Sequence, residues 1–350
     1  MAVVNQKKLL KFSYDKAVLY SFFLIQFLFV AIFSLTESIP QALTIKLALM
    51  VILLILSLLR SDFSKLNRID FFVYLFLLYG IESILWGDFS NENILISAGY
   101  LINFFLTYSV IRFSGHVNIS TQFFILIWIL EILHIWILDA KVVGGGYIFG
   151  HTSIAIFLVS VYSKSTNIWR KIPYIISLGF LSGLRFFGLS ILCFFPYLIN
   201  VLLLLVGVPF LYVLSSTYLV PGSEYYSLGL GYRVSEIPIL VEFLHSSNVN
   251  QLLFGEGVGM TSELRNLGSK GWIEHKNWFH NFFISIIFTF GLLGFCLISA
   301  PVFLLRRIDS RKVAILVAVY IMLCIDTHRD GAWILFMTLG LIGKDYERET

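Results

Sequence analysis

Long apolar runs dominate this sequence and restrict the folds that it can adopt. Runs of about 17 to 25 mostly apolar residues, the length that crosses a bilayer, follow one another with short polar turns between them. Hydrophobic residues make up 58% of the chain and charged residues 13%, whereas soluble domains carry about 25% charged residues. Because backbone polar groups find no water inside a bilayer, such runs fold as helices. We therefore predict an all-α polytopic membrane protein.

The runs also predict how many times the chain crosses the membrane. Nine single spans cover residues 17–36, 41–59, 69–87, 94–113, 119–138, 147–163, 279–304, 313–325 and 331–343. Residues 172–219 form one apolar stretch that is too long for a single crossing of about 30 Å and fits three short ones. We find no linker between separate domains. The sequence therefore predicts a single transmembrane domain over residues 1–350, with about twelve helices.

Lys and Arg cluster in the turns on one side of these spans. They are Lys7, Lys8, Lys11, Lys16, Arg60, Lys65, Arg68, Arg112, Lys164, Arg170, Lys171, Arg306, Arg307, Arg311 and Lys312. Cytoplasmic turns of membrane proteins carry such an excess of basic residues. This side is therefore predicted to be cytoplasmic, together with both termini. Residues 220–278 then form one large external loop that packs on the helix bundle.

The external loop is predicted to contain a short amphipathic helix. Ile237, Leu240, Val241 and Leu244 recur at helical spacing after a candidate cap at Ser235. We expect this helix to lie on the membrane surface. The glycines of the following segment LFGEGVGM lack the βαβ unit of a dinucleotide site and predict a tight external turn instead.

Several function classes are excluded by what the sequence lacks. It has no Asp-x-Asp pair, no Walker-type phosphate loop and no nucleophile elbow. Cys193, Cys296 and Cys324 lie inside apolar runs and are interpreted as small buried hydrophobic residues. Basic residues form no continuous face for nucleic acid. We expect neither a metal site nor a cofactor.

Two arginines are candidates for binding an anion. Arg185 lies in the apolar segment FLSGLRFFGLS, where an unpaired guanidinium costs several kcal/mol. Either it binds phosphate through its planar fork, or it extends to the interface or forms an internal ion pair. Arg233 precedes the predicted loop helix, whose amino end favours anions, although an exposed loop arginine is commonly just solvated.

His280 is the candidate proton acceptor. It lies where the polar loop enters a span, between Trp278 and Asn281. A neutral imidazole can accept a proton from a hydroxyl near neutral pH, or His280 caps backbone groups at the start of the helix. Trp278 either stacks on a sugar ring or anchors the chain at the interface. Asn281 is a substrate-binding candidate beside it.

Two further residues near the external side are substrate-binding candidates. His151, in GYIFGHTSIAIF, has either a structural partner or a substrate contact. Arg329 lies in the external turn before the last span.

The order of these features resembles the bacterial O-antigen polymerase and O-antigen ligase superfamily. His280 and Asn281 are followed after nine residues by Gly291 and then Gly294, similar to the family's His-Asn pair leading into a Gly-xx-Gly helix. The segments GHTSIAIF, SGLRFF, GYRV and LFGEGVG resemble, in the same order, the family's His-containing helix, Ser-x-Arg segment, loop arginine and Gly-x-Gly. The resemblance covers roughly residues 140 to 300.

The resemblance implies a metal-independent, cofactor-independent glycosyltransferase of the bacterial inner membrane. Its substrate would be an undecaprenyl-diphosphate-linked oligosaccharide, with membrane lipid around it and a chain-length regulator protein as a candidate partner. His280 would act as base, and Arg185 and Arg233 would hold the diphosphate leaving group. We expect an O-antigen polymerase, with O-antigen ligase as the alternative.

A flippase or transporter is a second alternative from another class. Such a protein would place charged or helix-breaking residues near the bilayer midplane in both halves. The first half of this chain has few such residues: Glu82 and Glu131 lie within spans, and Lys46 can extend to the interface. We therefore expect an enzyme.

Overall fold

The computed structural model describes residues 2–36, 39–59, 66–87, 93–114, 119–137, 151–162, 236–258, 282–304, 310–325 and 329–349. These residues form helices and turns, with no strand among them. The helices are α1 (Ala2–Thr36), α2 (Ile39–Leu58), α3 (Arg68–Glu82, continued by a 3₁₀ turn over Ser83–Trp86), α4 (Asn93–Phe113), α5 (Thr121–Ile137), α6 (His151–Tyr162), α7 (Glu236–Ser246), α8 (Val249–Phe254), α9 (Phe282–Leu304), α10 (Ser310–Ile325) and α11 (Arg329–Glu349).

Five of these helices contain segments long and apolar enough to cross a membrane. The segments are Tyr14–Phe33, Pro40–Leu58, Arg68–Trp86, Ile96–Phe113 and Phe282–Leu304. Each of the nine separately predicted spans overlaps a helix, and five of the nine overlap one of these segments, so an all-α membrane protein is confirmed for the described residues. Residues 172–219 lie outside the described residues, and the number of twelve spans remains a prediction.

The exposed side of α3 shows why these helices suit a bilayer. Phe71, Leu78 and Leu85 are 61%, 64% and 74% exposed and follow one another at intervals of seven residues, which keeps them on one side of a helix. The buried side includes Val73 and Phe76. A stripe of large exposed apolar side chains is unfavourable in water and favourable against lipid.

The chain divides into two compact units, and each is described by itself. The first comprises residues 1–67, 102–194 and 333–350. Aromatic pairs join its helices: Tyr20 stacks on Phe123 with ring centroids 4.0 Å apart, and Phe104 stacks on Phe336 at 4.7 Å. Each such pair contributes about 0.5–1.5 kcal/mol beyond the burial of its area.

Polar side chains are also buried in the first unit. The Tyr162 hydroxyl lies 2.7 Å from Asp345 Oδ2, and the Ser153 hydroxyl donates to the Glu131 carboxylate. Lys46 is 2% exposed, with Nζ 4.5 Å from the centroid of the Phe29 ring. The Lys46 side chain therefore packs inside the unit, and its extension to the membrane interface remains a prediction.

The second unit comprises residues 68–101 and 195–332 and is built around α9. Helices α3, α7, α8 and α10 all contact α9. The Phe283 ring of α9 stacks on Tyr320 of α10 at 5.1 Å, and the Tyr320 hydroxyl donates to Ile298 O over 2.6 Å. These contacts fix the position of the helix that directly follows His280 and Asn281 in sequence.

Candidate functional site

Helix α9 is broken in its middle, at Gly291. This residue has φ 63° and ψ −169°, a conformation that is essentially restricted to glycine. The rings of Phe283 and Phe295 have centroids 6.0 Å apart, whereas twelve residues of straight helix would separate their Cα atoms by about 18 Å. The chain therefore bends sharply at Gly291, within a segment apolar enough to cross a membrane.

Three carbonyl groups just before the break find partners outside α9. Phe288 O accepts from Glu256 N over 2.8 Å, and Thr289 O accepts from Gly257 N over 3.0 Å. Phe290 O lies 3.1 Å from the Tyr79 hydroxyl. A carbonyl without a partner in an apolar setting costs several kcal/mol. The turn at residues 255–257 and Tyr79 of α3 therefore stabilise the break.

Glycine is required where the turn and the break meet. A Cβ atom on Gly291 would lie 2.3 Å from Leu253 O, and one on Gly255 would lie 2.5 Å from Thr289 O. Gly255 and Gly257 have φ angles of 74° and 83°, which side chains rarely tolerate. The predicted tight turn is confirmed. It also brings the two glycine motifs noted in the sequence, GEG and GLLG, into direct contact.

Helix α8 holds this turn through a capping box. Asn248 Oδ1 accepts from Gln251 N, and Asn248 N donates to Gln251 Oε1, each over 2.9 Å. Gln251 Nε2 donates to Glu256 Oε1 over 2.9 Å. The α8 segment and the turn are thus joined by side-chain hydrogen bonds, which orient the backbone N–H groups of the turn toward α9.

A cavity of about 670 Å³ opens beside the break. Aromatic, amide, carboxylate and apolar groups line it: Tyr79, Glu82, Trp86, Asn248, Asn250, Gln251, Phe254, Gly255 and Leu293. Trp86 is 40% exposed, and its Cδ1 atom would lie 2.8 Å from a Cβ on Gly257. Sequence analysis missed this cavity, because its walls come from three segments that are separate in sequence: residues 79–86, residues 248–255 and Leu293.

The predicted helix after Ser235 is confirmed as α7, and Leu240 of its predicted apolar side packs against α9, but Phe243 replaces Leu244 on the buried side. Phe243 is buried against Ile284 and Phe288 of α9, whereas Leu244 is 37% exposed. The helix turns Phe243 toward the core because α9 offers it an aromatic surface, with Phe243 and Phe288 centroids 4.3 Å apart. Its location on the membrane surface remains a prediction.

Most of the predicted site residues lie outside the described residues. These are Arg185, Arg233, Trp278, His280 and Asn281. His151 and Arg329 begin α6 and α11, and their side chains are likewise outside the described part. The structure places the start of α9 two residues after His280.

Comparison with known proteins identifies no relative of this chain. No protein-family model matches the chain, and no curated protein matches its sequence. Within the described part of the chain, no group of three or more His, Cys, Asp or Glu side chains is placed to hold a metal ion.

Proposed function

We propose that this chain is an integral-membrane glycosyltransferase of the O-antigen polymerase type. It transfers a glycan from undecaprenyl diphosphate to the acceptor sugar of another lipid-linked repeat unit, at the periplasmic face of the bacterial inner membrane. Neither a metal ion nor a cofactor takes part.

Three side chains carry the proposed chemistry. The His280 imidazole removes the proton from a hydroxyl of the acceptor sugar, and the resulting oxygen attacks the anomeric carbon of the donor. The bond between that carbon and the diphosphate oxygen breaks, and its electron pair leaves with undecaprenyl diphosphate. Arg185 and Arg233 bind the diphosphate and stabilise the charge that grows on it. Attack from the face opposite the leaving group inverts the anomeric configuration.

The observation that carries this proposal is the capped break in α9. The resemblance rests on a His-Asn pair that leads into a glycine-containing helix, and on a separate Gly-x-Gly in the loop. In the structure the turn containing Gly255 and Gly257 packs on Gly291 of that helix. Broken helices capped in this way occur at membrane depth where the backbone borders a cavity or a buried site. The contact between two otherwise unrelated motifs supports the family resemblance.

A deletion strain separates the polymerase from the ligase. Loss of a polymerase leaves lipopolysaccharide that carries a single repeat unit, because ligation continues. Loss of a ligase leaves no repeat unit on lipopolysaccharide, and lipid-linked polymer accumulates instead. We expect the first result, restored to long chains by the wild-type gene.

Transport of lipid-linked glycan is the second candidate function. It is favoured by the buried charged residues Lys46 and Glu131, which are 2% and 3% exposed within the first unit, since intramembrane charges commonly mark transport pathways. Liposomes that contain the purified protein test this directly. Movement of lipid-linked glycan across the bilayer without formation of a glycosidic bond would favour the transporter and contradict the proposed enzyme.

A further inference from the structure

The cavity beside the break in α9 contains polar side chains that make no hydrogen bond within the described part of the chain. Glu82 and Asn250 line it, and both side chains are exposed, with no hydrogen bond to another described residue. Asn248 and Gln251, in contrast, are engaged in the capping box. A carboxylate accepts hydrogen bonds, and an amide both donates and accepts them. The lining therefore matches a ligand that carries several hydroxyl groups.

The aromatic side chains that line the cavity also suit a sugar ligand. Trp86 and Phe254 are 40% and 43% exposed, and Tyr79 and Trp86 lie side by side, with ring centroids 6.0 Å apart. Exposed aromatic faces can pack on the C–H surface of a sugar ring while the polar groups bind its hydroxyls. The volume of about 670 Å³ lies in the range of about 300–1,000 Å³ that is usual for small-ligand sites.

The charge of the cavity restricts the ligand further. Among the described residues that line it, Glu82 carries a carboxylate and none is Lys or Arg. The Glu82 carboxylate repels phosphate groups and acidic sugars. This cavity is therefore unsuited to the diphosphate and suited to an uncharged sugar.

We infer that the cavity binds the uncharged acceptor sugar of the lipid-linked repeat unit. This inference rests on the proposed function. It assigns binding of the acceptor sugar to the second unit, which contains the whole described lining of the cavity. An uncharged acceptor sugar carries no phosphate or carboxylate of its own, so it fits a lining that contains the Glu82 carboxylate. Gly255 belongs both to the cavity lining and to the contact with the break, which links a sugar in the cavity to the helix that follows His280.

The test measures binding of trisaccharides to the full chain in lipid nanodiscs by saturation-transfer NMR titration. The neutral probes are maltotriose, mannotriose and chitotriose, and the acidic probe is trigalacturonate. We expect at least one neutral probe to bind the wild type at millimolar concentration, and trigalacturonate to bind at least tenfold more weakly. Trp86→Ala and Asn250→Ala should each weaken binding of the neutral probe at least tenfold. Asn250 is exposed at the surface, so its substitution leaves the core intact.

Leu85→Ala is the matched control, because Leu85 adjoins Trp86 but is 74% exposed and outside the cavity lining. This variant should bind like the wild type. The inference is overturned if no neutral probe binds, if Trp86→Ala and Asn250→Ala bind normally, or if trigalacturonate binds as tightly as the neutral sugars.

One variant distinguishes failure of this inference from failure of the proposed function. His280→Ala should retain trisaccharide binding and lose chain extension. Binding that depends on Trp86 and Asn250 in a protein that forms no glycosidic bond would refute the polymerase and the acceptor assignment together. Chain extension that depends on His280 but proceeds normally in the two cavity variants would refute the cavity inference alone.

Discussion

At the scale of single residues, glycine at positions 255 and 291 is required by both conformation and space. Their φ/ψ pairs of 74°/−172° and 63°/−169° cost a residue with a side chain about 1–3 kcal/mol. The added Cβ would also lie 2.6 Å or less from backbone atoms across the contact. Gly255→Ala and Gly291→Ala should therefore each lower the thermal unfolding midpoint of the purified protein. The loss of stability should exceed about 1–3 kcal/mol, because the steric clash adds to the cost of the backbone conformation.

Gly80→Ala is the control for these variants. A Cβ there would lie 3.1 Å from the end of the Leu101 side chain, which can move, and alanine favours the helix by about 1 kcal/mol over glycine. We expect a midpoint close to that of the wild type. If Gly291→Ala were as stable as Gly80→Ala, the break in α9 would not be a fixed feature of the protein.

Diphosphate binding by Arg185 and Arg233 should depend on the geometry of the guanidinium group as well as on its charge. Arg185→Ala and Arg233→Ala are each expected to lower the rate of chain extension about 100- to 1,000-fold, as loss of a charge-stabilising donor typically does. Lysine keeps the charge but cannot form the bidentate contact, so Arg185→Lys and Arg233→Lys should restore only part of the rate.

Arg307→Lys, in the predicted cytoplasmic turn, is the corresponding control and should extend chains normally. Full activity of Arg185→Ala and Arg233→Ala in the same assay would remove both residues from the mechanism.

At the scale of elements, Tyr79 ties α3 to the broken α9. Its hydroxyl lies 3.0 Å from Phe254 O and 3.1 Å from Phe290 O. Tyr79→Phe leaves these carbonyls without that donor, which should cost about 1–3 kcal/mol of stability. Tyr14→Phe removes a comparable bond to Leu56 O, but at an exposed position, and should cost less. The measurement is the unfolding midpoint of each variant, and equal shifts would contradict the role of Tyr79.

The helices could be predicted from the sequence because apolar length and the flanking charges determine them locally. Each separately predicted span overlaps a helix, although α1 begins at Ala2 instead of residue 17, since Lys, Leu and Gln continue a helix readily. The break at Gly291 could not be predicted as a break. A glycine inside an apolar run is also compatible with a continuous helix, and here the partners that favour bending come from residues 253–257 and Tyr79.

The arrangement of the candidate site also could not be predicted from the sequence. The sequence singled out the glycines at 255, 257 and 291 separately, but their contact depends on tertiary structure. Phe243, buried in α7 at 2% exposure, lies outside the predicted apolar stripe, because a helix packs its buried side against its neighbour. Trp86 and Asn250 carried no signal in the sequence, since isolated aromatic and amide residues are common at helix ends.

At the scale of the whole molecule, the predicted topology places residues 220–278 in the periplasm and both termini in the cytoplasm. A variant in which Cys193, Cys296 and Cys324 are replaced by alanine allows single cysteines to report this. Ser262→Cys should react with a membrane-impermeant maleimide in intact cells whose outer membrane is permeabilised. Ser64→Cys, in a predicted cytoplasmic turn, should react only after the inner membrane is opened. The reverse pattern would invert the topology and place His280 on the wrong side of the membrane.

The central claim is that this protein forms a glycosidic bond with His280 as base. The most direct measurement incubates the purified protein with defined undecaprenyl-diphosphate repeat units and follows the lengths of the lipid-linked products. The wild type is predicted to yield a ladder of extended chains without added metal, and His280→Ala, inserted and folded equally well, to yield none. A His280→Ala protein that extends chains at the wild-type rate, or a wild type that forms no glycosidic bond, would contradict the account.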